Sequence, residues 1–470
     1  PSDNWTVSLT AAGQHLRSDD THYTTPGLGL TRFVRIAEPH VNDIELATAT
    51  IRHSWGWAEF TSSTGYVRHA YGSLFDATAT QDEYTSFALV SAYSERTRTK
   101  MLVQDAYLTS RGAGRLEWLA GVYGSDTRVD SPTEFLAQVP DAPNMLVYGD
   151  DRQDRIRELA AYGEITYKVA PSWTLAVGGR LFNIHTDTVS RVVSERFPPR
   201  DIDTERDFTG FSPKVSIQKE FASGDLAYAV VSEGYRAGGV NSGGANPLSA
   251  ERETFRRDRL VNFELGLKLA LLEKRLQVNS AVFYDIWTDI QTDQFRNTGI
   301  PYTTNVGDAH ILGLETEFTW LGPGGLSAQL SGRFSRIRTT NANPDFAPSL
   351  VDGLPGAATI SAGGLITYER DLGVGDWLVR LVAQANYVGR SRVTFDTSVP
   401  AMGGYARTKF SAEIAGTTWA RPMSLQVYVV NPLNSYNDTF AFGNPFNPNR
   451  TRQITPQRPR TIGVSLSTAL

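Results

Sequence analysis

Trp173-Thr174-Leu175-Ala176-Val177-Gly178-Gly179-Arg180-Leu181 alternates along its length: Trp173, Leu175, Val177, Gly179 and Leu181 on one side, Thr174, Ala176, Gly178 and Arg180 on the other. A helix needs apolar spacings of three and four, whereas a period of two marks a strand with unlike faces. The same period returns at 377–387, where Trp377, Val379, Leu381, Ala383, Ala385 and Tyr387 oppose Arg380, Gln384 and Asn386. At 326–334, Leu326, Ala328, Leu330 and Phe334 alternate with Ser327, Gln329, Ser331 and Arg333. At 424–429, Leu425, Val427 and Val429 alternate with Ser424, Gln426 and Tyr428. These segments are strands.

The connections between them alternate in length. Short ones fall at Ala170-Pro171-Ser172, Ala222-Ser223-Gly224, Glu273-Lys274 and Gly322-Pro323-Gly324-Gly325. Long ones fall near 127–157, 187–208, 237–258, 341–357 and 433–459. Tight turns at one end and long loops at the other are the asymmetry of an outer-membrane barrel, and a soluble sandwich has no cause to collect its long loops on one side. Counting segments gives about eighteen strands, an even number that suits a bacterial barrel. The first nine run near 4–18, 44–54, 57–70, 98–110, 115–126, 158–169, 173–186, 209–221 and 225–236. The rest run near 259–272, 275–291, 303–321, 326–340, 358–371, 376–391, 405–416, 422–432 and 460–470. Several exceed the roughly ten residues that a tilted strand needs to cross a bilayer. The expected fold is all-β: a transmembrane antiparallel up-and-down β-barrel, one domain over 1–470, with both chain ends on the periplasmic side.

Composition narrows the function classes. No apolar run is long enough for a transmembrane helix, which needs about 18 residues or more. The opening Pro1-Ser2-Asp3-Asn4-Trp5 has no signal-peptide pattern. With 45 basic and 50 acidic residues, the net charge of −5 leaves no electrostatic footprint for nucleic acid. Zero cysteines exclude a disulfide scaffold, thiolate metal sites and cysteine nucleophiles. Nine Trp, 19 Tyr and 22 Phe suit a protein that girdles a membrane with amphipathic rings. A large secreted β-protein has similar totals, and only the periodicity and loop asymmetry separate the two. No nucleophile elbow and no His-Glu-x-x-His occur, and the seven histidines are dispersed. An enzyme is therefore not expected.

Asp258-Arg259-Leu260-Val261-Asn262-Phe263-Glu264-Leu265-Gly266-Leu267-Lys268 resembles a hallmark of TonB-dependent outer-membrane receptor barrels. Phe283-Tyr284-Asp285-Ile286-Trp287-Thr288-Asp289-Ile290-Gln291 reads like that family's next strand. Asn305-Val306-Gly307-Asp308-Ala309 and Gly313-Leu314-Glu315-Thr316-Glu317 look like the element after it. Phe211-Ser212-Pro213-Lys214, Tyr235-Arg236-Ala237-Gly238-Gly239-Val240-Asn241 and Arg458-Pro459-Arg460-Thr461-Ile462-Gly463 are similar too. The resemblance implies a barrel of about 22 strands with a plugged lumen. It also implies a Gram-negative outer-membrane location amid lipid and lipopolysaccharide, and an N-terminal plug that engages the TonB-ExbB-ExbD complex. The implied function is import of a large scarce ligand, most commonly a ferric siderophore. On that basis the chain reads as the C-terminal part of a receptor, about eighteen of some 22 strands, without plug or first barrel strands. The sheet is then an incomplete barrel, and Leu470 is expected beside no strand of this chain. A passive diffusion porin is the alternative reading. The ending Ser467-Thr468-Ala469-Leu470 departs from the aromatic that usually closes such barrels. No cofactor is expected, since haem-uptake members carry a ligating histidine where 237–258 has none.

Alternation also assigns faces. Trp173, Leu175, Val177, Leu265, Leu267, Leu425 and Val427 are expected to face outward with high exposure. Arg180, Glu264, Lys268, Glu315, Glu317, Arg333, Arg380 and Gln384 are expected to face the lumen, because Arg or Lys on the lipid face at mid-bilayer costs roughly 2–4 kcal/mol. Pairing among themselves or with a plug is the simpler role for these charges. Tyr235, Arg236 and Trp287 are candidate ligand contacts, able to grip an anionic ferric chelate through charge and cation–π attraction. Girdle or loop packing is the simpler role here too. Asp150, Asp151 and Asp154 offer hard oxygen ligands, but a solvated loop explains them as well and no metal site is assigned. Gly238-Gly239 and Gly243-Gly244 precede no helix, so they cradle no phosphate and read as loop flexibility.

Overall fold

A chain of alternating strands joined by tight turns lays each strand against the one it has just left, and the sheet that results is a meander. A computed structural model describes the protein except residues 1–3, 87, 113, 139–142, 297, 345–352, 396–400, 419–420, 442, 448–451 and 469–470. Strand makes up 69% of the chain. The first wall strands are β1 (Trp5–Ser18), β2 (His40–Ser54), β3 (Ala58–Asp76) and β4 (Val90–Ser110). Then β5 runs Leu116–Asp130 and resumes past Pro132 as Thr133–Gln138, followed by β6 (Met145–Ala170), β7 (Trp173–Ser194), β8 (Arg200–Glu220) and β9 (Leu226–Arg236). The second half comprises β10 (Asp258–Leu271), β11 (Leu276–Thr288), β12 (Asp308–Leu321), β13 (Leu326–Thr340) and β14 (Ile360–Asp371). It ends with β15 (Leu378–Val388), β16 (Tyr405–Thr418), β17 (Arg421–Val430) and β18 (Thr461–Thr468). Both pieces of β5 lie between β4 and β6, so the 19 strands of the sheet fill eighteen positions.

Each wall strand pairs antiparallel with its sequence neighbours. The number and order of strands agree with the sequence reading. Among the described residues β1 pairs only with β2 and β18 only with β17. Leu470 lies outside the described residues. Above these two strands, one isolated bridge joins Thr24 to Ile454.

Two expected loops are mostly strand. Within 127–157 and 187–208, β6 begins at Met145, β7 continues to Ser194 and β8 starts at Arg200. Charged and polar side chains are frequent on both faces there. Arg157 meets Asp187 at 2.9 Å and His185 meets Asp207 at 2.9 Å, so cross-strand charge pairs carry the ladder onward where apolar side chains stop. A polar composition disguises such strands as loop.

In-register rows show the two faces. Leu265, Val282, Leu314 and Phe334 stand side by side, as do Phe263, Tyr284 and Leu312. Of the outward set, Leu265 is 66% exposed and Val177 49%, and Trp173, Leu267, Leu425 and Val427 are exposed as well. Leu175 departs from expectation: it is half-buried between its register partners Tyr167 and Ile217. On the opposite face aromatic rings lie over glycines of the next strand. A Cβ on Gly266 would fall 2.2 Å from the Tyr228 ring, and one on Gly463 2.2 Å from Tyr428. The absent side chains make room for rings that stiffen the sheet. At the tight-turn end Trp5, His53, Trp55, Trp57 and Trp118 form a continuous belt, with centroids 4.1 to 6.2 Å apart.

The buried core sits above the wall. Tyr84, Tyr93, Phe135, Tyr148, Ala245, Ile300 and Phe446 pack together, drawn from strand ends and loops spread along the chain.

Candidate functional site

Because facing residues in adjacent strands share a side, the register places Arg180, Glu264, Lys268, Glu315, Glu317, Arg333, Arg380 and Gln384 on one face. The other face carries the apolar rows, and only that face suits hydrocarbon. Several of the charges on that face are matched across strands. Arg180 meets Glu158 at 2.5 Å, Arg333 meets Glu315 at 3.4 Å, and Arg380 meets Glu369 at 2.7 Å and Glu413 at 3.2 Å. Lys409 lies 5.1 Å from the centre of the Tyr428 ring.

Near the loop end, Arg236 and Trp287 come together around Asp258. Asp258 is 2% exposed and accepts from Arg236 Nε at 2.9 Å, from Trp287 Nε1 at 3.1 Å and from the Gln291 amide at 3.3 Å. The Arg236 guanidinium stands 5.3 Å over the Trp287 ring, half-exposed beyond its carboxylate. Tyr235 goes elsewhere. The β8–β9 ladder stops at Lys214↔Ser232, next to Pro213, which has no amide hydrogen to donate. Beyond that point the Tyr235 ring stacks on Phe182 at 3.5 Å and its hydroxyl donates to Glu158 at 3.2 Å. Tyr235 thus joins the Arg180 cluster rather than the Arg236 pair.

Over this rim the loops are tied by buried polar groups. Glu38, fully buried, binds Arg32 at 2.5 Å, Thr21 at 3.1 Å, the Asp76 amide at 2.8 Å and Asn444 Nδ2 at 2.7 Å. The Arg200 guanidinium donates to the carbonyls of Ala245 at 2.8 Å, Ser242 at 3.1 Å and Gly244. Arg296 donates to those of Gly243 and Asn246. Burial, foremost, pulls both guanidinium pKa values below the usual arginine range.

Gly238, Gly243 and Gly244 are therefore pinned rather than flexible. A Cβ on Gly238 would fall 2.4 Å from the Phe255 carbonyl oxygen, and Gly243 and Gly244 hold φ of +86° and +72°. The aspartate trio does not converge. Period two sets Asp151 against Asp150 and Asp154, Ser190 occupies Asp150 at 2.6 Å, and Arg152 occupies Asp154 at 2.7 Å. Asp258 and Glu38 were not singled out from sequence. Asp258 had a signal as the first residue of the hallmark strand, but Ala37-Glu38-Pro39 has none.

A sequence profile described as "TonB dependent receptor-like, beta-barrel" matches residues 2–431. The chain belongs to the TonB-dependent receptor family. Its place is the outer membrane, and no helix among the described residues is long and apolar enough to cross a membrane. The receptor is similar in fold to the ferric yersiniabactin uptake receptor FyuA from Yersinia pestis, with a TM-score of 0.81 at 18% identity over 99% of this chain and 68% of that one. It is similar to the siderophore receptor PiuA from Acinetobacter baumannii, with a TM-score of 0.76 at 14% identity over 99% and 72%. The unliganded ferric citrate transporter FecA gives 0.72 at 11% identity over 100% and 68%. At these identities the likeness shows the fold.

Proposed function

We propose that this receptor captures a large, scarce anionic ligand at its outer mouth, most commonly a ferric siderophore, and releases it inward under energy from the TonB-ExbB-ExbD complex. The energy reaches the barrel through a plug domain of the family type. The observation that supports this reading is the Arg236–Trp287 pair, held by the buried Asp258 under a roof of packed loops. A cation above an indole face, oriented in advance by a carboxylate, suits an aromatic or carboxylate-rich metal chelate. The fold neighbours include receptors for ferric yersiniabactin and ferric citrate. No catalytic role is assigned.

Uptake of radiolabelled iron carried by a siderophore panel tests this in cells expressing the intact receptor, with and without functional TonB. One ferric chelate should be taken up only when both are present. Trp287→Ala, which leaves the Arg236–Asp258 pair in place, should weaken its binding by roughly tenfold, the loss of about one desolvated cation–π contact. Uptake that ignores TonB and scales linearly with solute concentration would instead identify a passive channel.

A further inference from the structure

Past Pro213, β8 keeps one neighbour and loses the other. Its ladder to β7 runs from Trp173↔Lys219 to Val192↔Arg200, whereas its ladder to β9 runs only from Glu220↔Leu226 to Lys214↔Ser232. The turn amides fix which backbone groups face which strand. The Glu220 amide donates to the Ser172 carbonyl on the β7 side, and the Phe221 amide to the Asp225 carbonyl on the β9 side. Backbone direction alternates along a strand, and the β7–β8 register has no shift. Odd-numbered residues of β8 therefore aim their amides and carbonyls away from β7. Pro213 is one of them, and the Thr209 carbonyl, another, accepts from Arg257 at 3.2 Å. Those of Asp201, Asp203, Glu205 and Asp207 meet no backbone partner among the described residues.

The same four residues are exposed and carry their side chains on the outward face of Phe211, beyond the apolar band. Asp207 is held by His185 at 2.9 Å, and Asp201 lies 3.8 Å from Arg191. Asp203, opposite Val189, and Glu205, opposite Asp187, form no ion pair among the described residues. An open strand edge is a template for strand addition, in which main-chain hydrogen bonds supply affinity and alternate side chains supply selectivity. Here the carboxylates select the occupant. A second copy of the chain would bring the same acidic edge and be repelled, since like charges facing each other across strands destabilise the pair. We propose that this edge receives an extended basic segment of another polypeptide as an added strand at the outer rim, with Lys or Arg at every second position. Those cations lie beside the four carboxylates, and the segment's backbone takes up the open amides and carbonyls. Binding there needs neither cargo nor TonB.

Fluorescence anisotropy with labelled peptides tests this on the intact receptor in phosphatidylcholine nanodiscs. The probes are a peptide alternating Lys with Thr, the same peptide N-methylated at its lysine amides, and one alternating Glu with Thr. Residues facing each other across an antiparallel pair share both side and backbone direction, so methylation removes the donors aimed at β8 and leaves the charge. Wild type should bind the first, bind the second roughly tenfold or more weakly, and ignore the third. Asp203→Asn/Glu205→Gln should weaken binding of the first roughly fivefold, the loss of two cross-strand charge pairs. Asp130→Asn, exposed on β5, should match wild type. Heat-shifted gel mobility verifies folding. Equal binding of methylated and unmethylated peptide would show attraction by charge alone and overturn the proposal. So would indifference of the folded double variant, or no binding to folded wild type, which would leave the carboxylates as a guard against strand pairing.

Discussion

The wall and the roof of this receptor are held together in different ways. In the wall, the backbone ladders join strands adjacent in sequence and set side by side pairs such as Phe263 with Tyr284 and Glu315 with Arg333. In the roof, Asn444 reaches Glu38 across 406 positions, and Phe446 packs on Tyr93 at 4.4 Å. The wall buries only a small apolar cluster around Phe182 and Ile184 among the described residues, and relies mainly on backbone ladders, paired charges and the surrounding lipid. The roof is small and dry, closer to a globular core, and rests on a few buried groups. Damage to the wall should therefore be felt as a loss of membrane stability, and damage to the roof as local opening.

The largest effect is expected at Glu38→Ala. Removing the carboxylate leaves the buried Arg32 with only the half-exposed Asp20 as an acidic partner, which costs up to roughly 3–5 kcal/mol. Hydrogen exchange should rise about a hundredfold or more in 19–39 and 436–447 while β6 and β7 stay protected, since opening is local. Equal acceleration in the strands would show that wall and roof open as one unit.

Next is Leu265→Arg, on the lipid face, with an expected loss of roughly 2–4 kcal/mol in refolding stability in lipid vesicles. On the interior face Gln384→Arg should stay within about 0.5 kcal/mol. Reversal of that order would invert the face assignment.

The smallest effect is expected at His185, above the apolar band that ends at Leu181 and Phe211. Hydrogen bonds to Asp207 and then Asp187 raise its pKa. A raised folded value means that its stabilisation is complete below the unfolded value, about 6.5, and is lost as pH rises through the folded one. Amide protection at the outer ends of β7 and β8 should therefore fall slightly on going from mildly acidic to alkaline pH, and His185→Asn should remove that dependence. A profile unchanged by the substitution would take the histidine out of the ladder's energetics.

The wall was legible in the sequence because its rule is local. Period two at 173–181 and 377–387 follows from one wet face and one in lipid, so the alternation gave strand order, face and the barrel class at once. It failed at 145–157 and 187–194, where charged and polar side chains interrupt the apolar rows. At Tyr235 the strand leaves its neighbour beside Pro213 and the ring turns to Phe182, a placement the alternation does not address.

Composition and alternation alone thus determined an all-β barrel, its strand order and the split between lipid and interior side chains, since each depends only on a residue's immediate neighbours and on water or hydrocarbon at its side. Tertiary structure alone decided that Asp258 gathers Arg236 and Trp287, that Glu38 ties three distant segments, and that Gly243 and Gly244 are fixed by Arg200 and Arg296. Those contacts form only when loops from distant strands meet over the mouth, where a buried charge must find whatever partner the closed ring of loops brings to it.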